Sequence, residues 1–144
     1  MGISIRRPET DGEWETYYDM RYRILREPLG KERGSERNEG DAAGLHFALY
    51  ENDILKAIAR LDNAGESSAQ VRFVAVETEL QGQGYGRQIM EATEVAAKND
   101  GSHTMILHAR DYAVAFYLRL GYHTVEPSYK LFDVLQHYLM EKDL

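Results

Sequence analysis

The sequence predicts an α/β fold in which helices pack on one mixed β-sheet. Segments in which apolar and polar residues alternate are typical of strands, and apolar residues three or four positions apart are typical of helices. Here the strand-like segments come first, a strand–helix–strand–helix series follows, and strands end the chain. A length of 144 residues suits one domain, so we expect residues 1–144 to share one core.

The N-terminal third of the chain predicts a strand, a helix and a long loop. Ile3 and Ile5 alternate with polar residues, which is typical of a short strand. Apolar residues at helical spacing favour a helix over residues 13–25, with Asp11 as its N-cap. The charged, glycine-containing stretch 27–44 indicates a surface loop, with or without one short helix. This loop is either a solvated connection or a segment that gates a substrate site.

The rest of the chain continues the alternation between strand patterns and helix patterns. Two strand patterns joined by Asn52 and Asp53 predict a β-hairpin. A helix that follows a glycine cluster runs to about Asn99, and a second amphipathic helix lies between Asp111, a candidate N-cap, and Gly121. The predicted strands of this part are 45–50, 55–61, 71–76, 105–109, 122–125 and 136–140.

The composition excludes several classes of function. The net charge is −7, from 24 acidic and 17 basic residues, which disfavours generic binding to a nucleic-acid backbone. The absence of cysteine excludes disulfides, a zinc–thiolate site and a cysteine nucleophile, and the five histidines lack metal-ligand spacing. No apolar run approaches the roughly 20 residues of a membrane helix, and the N-terminus lacks a signal-peptide pattern. We therefore expect a cytoplasmic protein with no metal, nucleic acid or membrane as partner.

The segment 76–87 joins a predicted strand to a predicted helix and contains Gly82, Gly84 and Gly86. Such a loop presents backbone N–H groups at a helix N-terminus, where the helix dipole also favours an anion such as pyrophosphate. A Walker A loop would continue with lysine after its last glycine, and a dinucleotide-binding G-x-G-x-x-G loop would place glycine at the same position. The chain has Arg87 there, so both alternatives fail. The remaining alternative is a tight strand-to-helix turn without a ligand.

Two motifs resemble those of the GNAT superfamily of N-acetyltransferases. The strand-to-helix loop is similar to the acyl-CoA motif V-x-P-x-x-[RQ]-G-x-G-x-G, with Thr78 where proline is common. The segment 113–122 resembles the superfamily's A-x-x-F-Y-x-x-x-G-[FY] helix-to-strand segment, and the two motifs occur in the expected order. The resemblance covers most of residues 45–140. The matching residues of the first motif are Val76, Gln81, Gly82, Gly84 and Gly86.

Shorter matches resemble the ElaA-like branch of small bacterial acetyltransferases. These matches are Arg23, Asp41-x-x-x-x-His46, Arg60-Leu61, Leu107-His108-Ala109-Arg110 and His137-x-x-Met140. The resemblance to the superfamily implies a GNAT fold, in which a single mixed, mostly antiparallel β-sheet is splayed at its central strands and flanked by about four helices.

The resemblance also implies that acetyl-CoA is the co-substrate. In such proteins the backbone of the splayed strand pairs with the pantetheine arm. The amides of the loop that contains the three glycines, residues 81–87 here and called the glycine loop below, hold the pyrophosphate. Arg87 is the added cation in this chain. A backbone amide near Val76 is then placed to stabilise the oxyanion. The residues assigned to the co-substrate are Val74, Ala75, Val76, Gln81, Gly82, Gln83, Gly84, Tyr85, Gly86 and Arg87.

The same resemblance assigns Tyr117 as the general acid that protonates the leaving thiolate. Helical spacing alone would favour a core aromatic role for Tyr117. The general base stays open, because the glutamate that one branch of the superfamily places on this strand corresponds to Gln70 here. The candidates for the base are His46, Glu77, Glu79, His108 and Asp111.

We therefore expect an acyl-CoA-dependent N-acyltransferase that transfers an acetyl group to a primary amine by direct attack. The acceptor is a small-molecule or peptide amine, and the chain is compatible with a homodimer. Two alternatives remain: a non-catalytic acyl-CoA-binding or interaction module of the same fold, and an enzyme that uses a longer acyl chain.

Overall fold

The computed structural model describes residues 2–144, which form a seven-stranded sheet with helices on both faces. The strands are β1 (Ile3–Arg6), β2 (Leu45–Glu51), β3 (Ile54–Asn63), β4 (Ser68–Val76), β5 (Thr104–Arg110), β6 (His123–Leu131) and β7 (Leu135–Asp143). The α-helices of the described part are α1 (Asp11–Leu25), α2 (Tyr85–Asn99) and α3 (Val114–Arg119), with four short 3₁₀ turns between elements. None of these helices is long and apolar enough to cross a membrane.

The strand order across the sheet is β1-β2-β3-β4-β5-β7-β6. All neighbouring strands are antiparallel except β4 and β5, which are parallel. The predicted hairpin is present, and its turn residues Asn52 and Asp53 have φ angles of 53° and 64°, as a type I′ turn requires. The prediction of a mixed, mostly antiparallel sheet flanked by helices is therefore confirmed.

The two faces of the sheet have separate hydrophobic cores. On the α1 face, the fully buried side chains of Tyr17 in α1 and Ile58 in β3 belong to the same hydrophobic cluster. On the opposite face, which we call the α2 face, Ile89 of α2 and Tyr117 of α3 pack with Met105 of β5. A side chain on a central strand therefore meets a different set of helices according to the face on which it lies.

The sheet splits between its two parallel strands. Residues 68–70 of β4 pair with residues 104–106 of β5, and the pairing ends there. Residues 107–110 of β5 pair with β7 instead, while β4 continues to pair with β3 on its other side. The edge of β4 that faces β5 is consequently unpaired from residue 71 to residue 76.

A β-bulge interrupts β4 within this unpaired stretch. Ile58 pairs with Ala75 and Arg60 pairs with Arg72, so one residue of β3 opposes two residues of β4. Phe73, one of these two, has a φ of 54°, a left-handed conformation that costs energy in a bulky residue. Such a bulge twists and bends the strand that carries it, and here it coincides with the divergence of β4 from β5.

The bulge also changes which side chains of β4 face which core. Val71 belongs to the α2-face core, whereas Phe73 and Ala75 pack on the α1 face. After the bulge, Val74 and Val76 pack against the α2-face core. A strict alternation through residues 71–76 would have placed Val71, Phe73 and Ala75 on the same face.

Helix and strand boundaries differ in detail from the predicted ones. Thr10, rather than Asp11, caps α1, because its Oγ1 accepts a hydrogen bond of 3.1 Å from the amide of Glu13. Asp111 begins a 3₁₀ turn before α3 and caps no helix with its side chain. The loop 27–44 contains two 3₁₀ turns, Glu27–Leu29 and Glu39–Asp41, and the last two strands extend well beyond their predicted ends.

Candidate active site

A cleft of about 850 Å³ lies where β4 and β5 diverge. It is lined by the unpaired part of β4, residues 107–110 of β5, the glycine loop, α3 and the C-terminal end of α1. Because these elements cover opposite faces of the sheet, the cleft connects the α2 face with the α1 face. The split in the sheet therefore creates a concave surface beside the predicted site residues.

The glycine loop lies at one end of this cleft and presents several backbone N–H groups that form no hydrogen bond with the described part of the chain. The amides of residues 82–87 have no hydrogen-bond partner within residues 2–144. Gly82 and Gly84 have φ angles of 85° and 95°, which L side chains rarely adopt, and Gly84 directly precedes the first residue of α2. Free amides that precede a helix, together with the helix dipole, fit a pyrophosphate.

Gly86 is needed for a different reason, which is the close approach of α3 to α2. A Cβ atom on Gly86 would lie 2.9 Å from Cζ of Phe116, closer than real Cβ atoms come. Phe116 in turn contacts the ring of Tyr117, with the two ring centroids 4.9 Å apart. The third glycine thus lets the helix that carries Tyr117 pack beside the glycine loop.

The structure brings most of the residues assigned to the co-substrate to the cleft. Gln83 and Tyr85 do not line it with their side chains: the Gln83 amide lies against the Glu79 carbonyl, and the Tyr85 hydroxyl donates to Glu51. Their backbone amides are still among the free amides of residues 82–87. The assigned residues that line the cleft are Val74, Ala75, Val76, Gln81, Gly82, Gly84, Gly86 and Arg87.

Tyr117 lies on α3 and lines the cleft from the α2 face. Its side chain is buried, and its ring makes edge contacts with Phe116 and Tyr122. Burial raises the pKa of Tyr117 above its ordinary value of about 10, although Arg110 opposes the shift. The phenol is therefore protonated at neutral pH, as a proton donor must be.

Of the five candidates for the general base, only His108 lines the cleft. His46 lies outside it, where its two ring nitrogens contact the Tyr17 hydroxyl and the Asp41 carbonyl, both at 2.8 Å. Glu77 accepts two hydrogen bonds from Arg23, at 2.8 Å and 3.1 Å, and these lower the pKa of Glu77 below its usual range. The last two candidates, the carboxylates at positions 79 and 111, do not line the cleft.

His108 lies on β5 with its side chain on the α1 face of the split. Its neighbours Leu107 and Ala109 belong to the α2-face core, so alternation along the strand directs His108 to the other side. The Nδ1 atom of His108 is buried and has no hydrogen-bond partner within residues 2–144. Burial, followed by the nearby charge of Arg72, lowers the pKa of His108 below 6.5. The imidazole is consequently neutral at pH 7 and able to accept a proton.

The structure adds residues to the cleft that the motifs did not single out as site residues. Arg72 of β4, Arg110 of β5 and Tyr129 of β6 line it, and His137 of β7 joins them as the cross-strand partner of Arg110. The rings of Tyr129 and His137 are stacked, with centroids 4.4 Å apart and an angle of 16°. The polar positions of the predicted strands contained these side chains, but nothing in the sequence indicated that they converge.

Comparisons with known proteins agree with this architecture. A Bacillus subtilis (strain 168) protein named as an acetyltransferase is 24% identical over 143 residues, which are 97% of this chain and 96% of that protein. The crystal structure of Escherichia coli ElaA has a TM-score of 0.80 at 17% identity and covers 98% of both chains. The PaiA N-acetyltransferase of Thermoplasma acidophilum, in complex with coenzyme A, has a TM-score of 0.78 at 15% identity and covers 100% of both chains.

At these identities the likeness to ElaA and PaiA is one of fold, and membership of the ElaA-like branch stays a prediction. The family itself is settled by a different comparison. A model of the GNAT acetyltransferase domain matches residues 21–144, which include both motifs, the split strands and α3. The predicted superfamily is confirmed: the chain belongs to the GNAT family of acetyltransferases.

Proposed function

We propose that the protein transfers an acetyl group from acetyl-CoA to a primary amine by direct attack of the amine on the thioester. The observation that carries this proposal is the continuity between the unpaired edge of β4 and the free amides of residues 82–87. A polar chain that ends in a pyrophosphate matches that surface, because it needs strand-like hydrogen bonds first and anion-binding donors next. The Thermoplasma acidophilum relative of the same fold was crystallised with coenzyme A.

In this proposal the backbone of residues 74–76 pairs with the pantetheine arm. The side chains of Val74 and Val76 face the α2-face core and leave the backbone edge of β4 accessible in the cleft. Gln81 holds the loop against the strand through a 3.2 Å hydrogen bond to the Val76 carbonyl. The loop amides bind the pyrophosphate, and Arg87 adds a full positive charge. An acidic protein can thereby bind a multiply charged anion mainly through dipoles.

The two proton transfers fall to groups on opposite faces of the split. As the C–N bond forms and the C–S bond breaks, His108 on the α1 face accepts the proton of the amine. Tyr117 on the α2 face donates its phenolic proton to the thiolate sulfur. An amine with a pKa of about 10.4 needs about 4.6 kcal/mol to be neutral at pH 7, so a positioned base is valuable. The neutral imidazole and the protonated phenol match these roles.

The binding half of the proposal is tested by calorimetry with acetyl-CoA on two glycine variants. In both Gly84→Ala and Gly101→Ala the new Cβ meets no atom within 4 Å and sits at a similar φ, 95° and 92° respectively. Both substitutions therefore impose the same backbone strain, but only Gly84 belongs to the loop of free amides. We expect at least a tenfold loss of acetyl-CoA affinity for Gly84→Ala and no change for Gly101→Ala. Equal affinity of the two variants would refute the phosphate site.

The transfer half is tested by following CoA release from acetyl-CoA with a panel of amines. Turnover with at least one amine, with the acetylated amine identified by mass, supports an N-acetyltransferase. Normal binding of acetyl-CoA without transfer to any amine would instead support the non-catalytic acyl-CoA-binding module. Longer acyl-CoA donors in the same assay decide the length of the acyl chain.

A further inference from the structure

The cleft has a charge opposite to that of the protein as a whole. The chain carries a net charge of −7, yet no aspartate or glutamate of the described residues lines the cleft. Six arginines of the same residues do line it. They are Arg23, Arg26, Arg72, Arg87, Arg110 and Arg119. An acidic protein that collects arginines in one concave site has built a local positive potential, which attracts anions.

Half of these arginines have another evident role. Arg87 and Arg119 belong to α2 and α3, on the side of the glycine loop, where they can meet the phosphates of the co-substrate. Arg23 is paired with Glu77 and with Asp19, at 2.8 Å and 2.7 Å. The other three, Arg26, Arg72 and Arg110, which we call the acceptor arginines, form no ion pair with a carboxylate of residues 2–144.

The acceptor arginines lie on the α1 face, across the split from the glycine loop. Arg110 Nη2 donates a 2.8 Å hydrogen bond to the carbonyl oxygen of Leu25, the last residue of α1. Arg72 pairs across the sheet with Arg60, whose guanidinium contacts loop 27–44 on this face. Since the free amides begin the helix of the opposite face, the acceptor arginines are not part of the pyrophosphate site.

Two of the acceptor arginines share a single oxygen atom. Arg26 Nη1 and Arg110 Nη2 both donate to the carbonyl of Leu25, at 3.3 Å and 2.8 Å. The C-terminal carbonyl of a helix carries only a partial negative charge, which does not neutralise two guanidinium groups. Burial and then the charge of Arg110 lower the pKa of Arg26, in keeping with two cations that lack a counterion. A ligand anion would relieve this repulsion.

The third acceptor arginine leaves its donors free. The guanidinium of Arg72 lies over the ring of Phe73, 5.3 Å from its centroid, and has no hydrogen-bond partner within residues 2–144. The positive charge of Arg72 also helps to lower the pKa of His108, the residue proposed to accept the proton of the amine. The free guanidinium and the proposed base therefore border the same part of the cleft. A substrate that places an amine at His108 can place an anionic group at the acceptor arginines.

Arg26, which lines this part of the cleft, also takes part in a contact between the β6–β7 turn and the segment that follows α1. The ring of Phe132, in the turn between β6 and β7, lies 4.1 Å from Lys31 Nζ and 5.5 Å from the guanidinium carbon of Arg26. Tyr129 and the stacked His137 form the adjacent wall. Contact between the hairpin and the segment that follows α1 limits the space on the α1 face, which suits a small molecule better than a polypeptide.

We propose that the acceptor is a small primary amine that also bears an anionic group, a carboxylate or a phosphate, and that the acceptor arginines bind this group. The proposal rests on the acetyl transfer proposed above, for which it names the substrate class. Guanidinium groups bind both anions through paired, charge-assisted hydrogen bonds, so the shared chemistry is that of an oxyanion 2.7–2.9 Å from the donors.

Matched amines test the substrate class directly. Each pair differs only in the anion: β-alanine against β-alanine amide, and phosphoethanolamine against ethanolamine, with spermidine as a cationic amine and an acidic peptide as a long acceptor. We expect kcat/KM to be at least tenfold higher for the anionic member of at least one pair. The pair with the larger ratio identifies carboxylate or phosphate. Binding of the same compounds to the CoA complex, measured by calorimetry, gives a readout that needs no turnover.

Arginine variants connect this preference to the residues. Arg72→Gln removes a free guanidinium that makes no protein hydrogen bond, so its fold should be retained; Arg110→Gln is the second variant. Arg33→Gln, at an exposed ion pair outside the cleft, is the control with the same change in charge. For the anionic amine we expect KM to rise roughly tenfold to hundredfold in the two cleft variants, with little change in kcat. Arg72 and Arg110 also act on His108 and Tyr117, so the readout is the ratio between the two members of a pair. We expect this ratio to fall towards one in the two cleft variants and to stay at its wild-type value in Arg33→Gln, with acetyl-CoA binding unchanged in all three.

The possible results separate this inference from the proposed function. If acetyl-CoA binds and is used, but neutral, cationic or peptide amines are preferred, the inference is overturned and the transferase stands. The same holds if Arg72→Gln affects the two members of a pair equally. If anionic amines bind the CoA complex and lose affinity in the variants without being acetylated, the anion site stands and the transferase fails.

Discussion

Replacement of Asp41 by alanine should be among the most destabilising single changes at a polar side chain of this protein. Oδ1 of Asp41 accepts hydrogen bonds of 2.8 Å from both Arg21 and Arg60, whose side chains are fully buried. Arg60 retains Asp62 in the variant, but Arg21 has no second carboxylate within residues 2–144. The substitution therefore leaves a buried guanidinium whose remaining hydrogen bonds within residues 2–144 go to the Glu36 carbonyl and the Tyr17 hydroxyl, at 3.2 Å and 3.3 Å.

We expect Asp41→Ala to lower the free energy of unfolding by about 3–5 kcal/mol, the range for removal of one partner of a buried ion pair. A domain typically has only about 5–15 kcal/mol in total, so the urea midpoint should fall sharply at an unchanged m-value. Asp19→Ala is a matched control, because Asp19 also accepts from two arginines, at 2.7 Å and 2.9 Å, but its side chain is 38% exposed. Solvent-exposed pairs contribute about 0–1 kcal/mol.

The pH dependence of this difference has a definite sign. Burial alone would raise the pKa of Asp41, but hydrogen bonds from Arg21, the Asn38 amide and Arg60 outweigh it, so the pKa lies below its usual range. A lowered carboxyl pKa gives stability that is complete above the unfolded pKa of about 3.9 and is lost as the pH falls below it. The destabilisation by Asp41→Ala should accordingly be constant near neutral pH and shrink below about pH 4. Equal urea midpoints for the Asp41 and Asp19 variants at pH 7 would refute this account.

Two further predictions concern proton transfer. Tyr117→Phe should lower kcat by roughly 10²–10⁴-fold while acetyl-CoA affinity and melting temperature change little, because only the hydroxyl is removed; a variant with wild-type kcat would make Tyr117 a core residue only. His108→Gln should lower kcat/KM for the amine by a similar factor. In the wild type the acidic limb of the pH–rate profile should lie below pH 6.5, because the pKa of His108 is lowered, and this limb should be absent in His108→Gln. An unchanged profile would exclude His108 as the base.

The features that could be predicted from the sequence depend on local chain geometry. The amides of the glycine loop are free in a strand-to-helix connection in which Gly82 and Gly84 adopt left-handed φ angles, and the three alternate glycines predict a loop of this kind. The helix that carries Tyr117 has its apolar residues at helical intervals, and it packs on the side where the alternation of β5 places Leu107. The sequence also contains the signal for the N-cap of α1, because threonine followed three residues later by glutamate, here Thr10 and Glu13, is a usual capping pattern.

The features that could not be predicted depend on contacts between distant segments. The acceptor arginines come from the end of α1, from β4 and from β5, and each alone is an ordinary polar position of its element. The pairing of Asp41 with two buried arginines joins a loop to a helix and a strand, and charge in a loop more commonly indicates solvation. The choice of His108 as the proposed base is a similar case, because it follows from the opening between β4 and β5, which His108 lines and the other four candidates do not.

The bulge at Phe73 connects the two halves of the candidate site. In a regular strand of the same sequence, without the bulge, Val74 and Val76 would lie on the face of the sheet that holds Arg72. With it, Arg72 stays on the α1 face beside His108, while the two valines face the α2-face core beside the glycine loop. The left-handed backbone of Phe73 is held from outside the strand, since the guanidinium carbons of Arg21 and Arg60 lie 4.2 Å and 4.9 Å from its ring centroid. The buried charge network around Asp41 thus contacts the bulge that places Arg72 and the two valines on opposite faces of β4, as the proposed co-substrate and acceptor sites require.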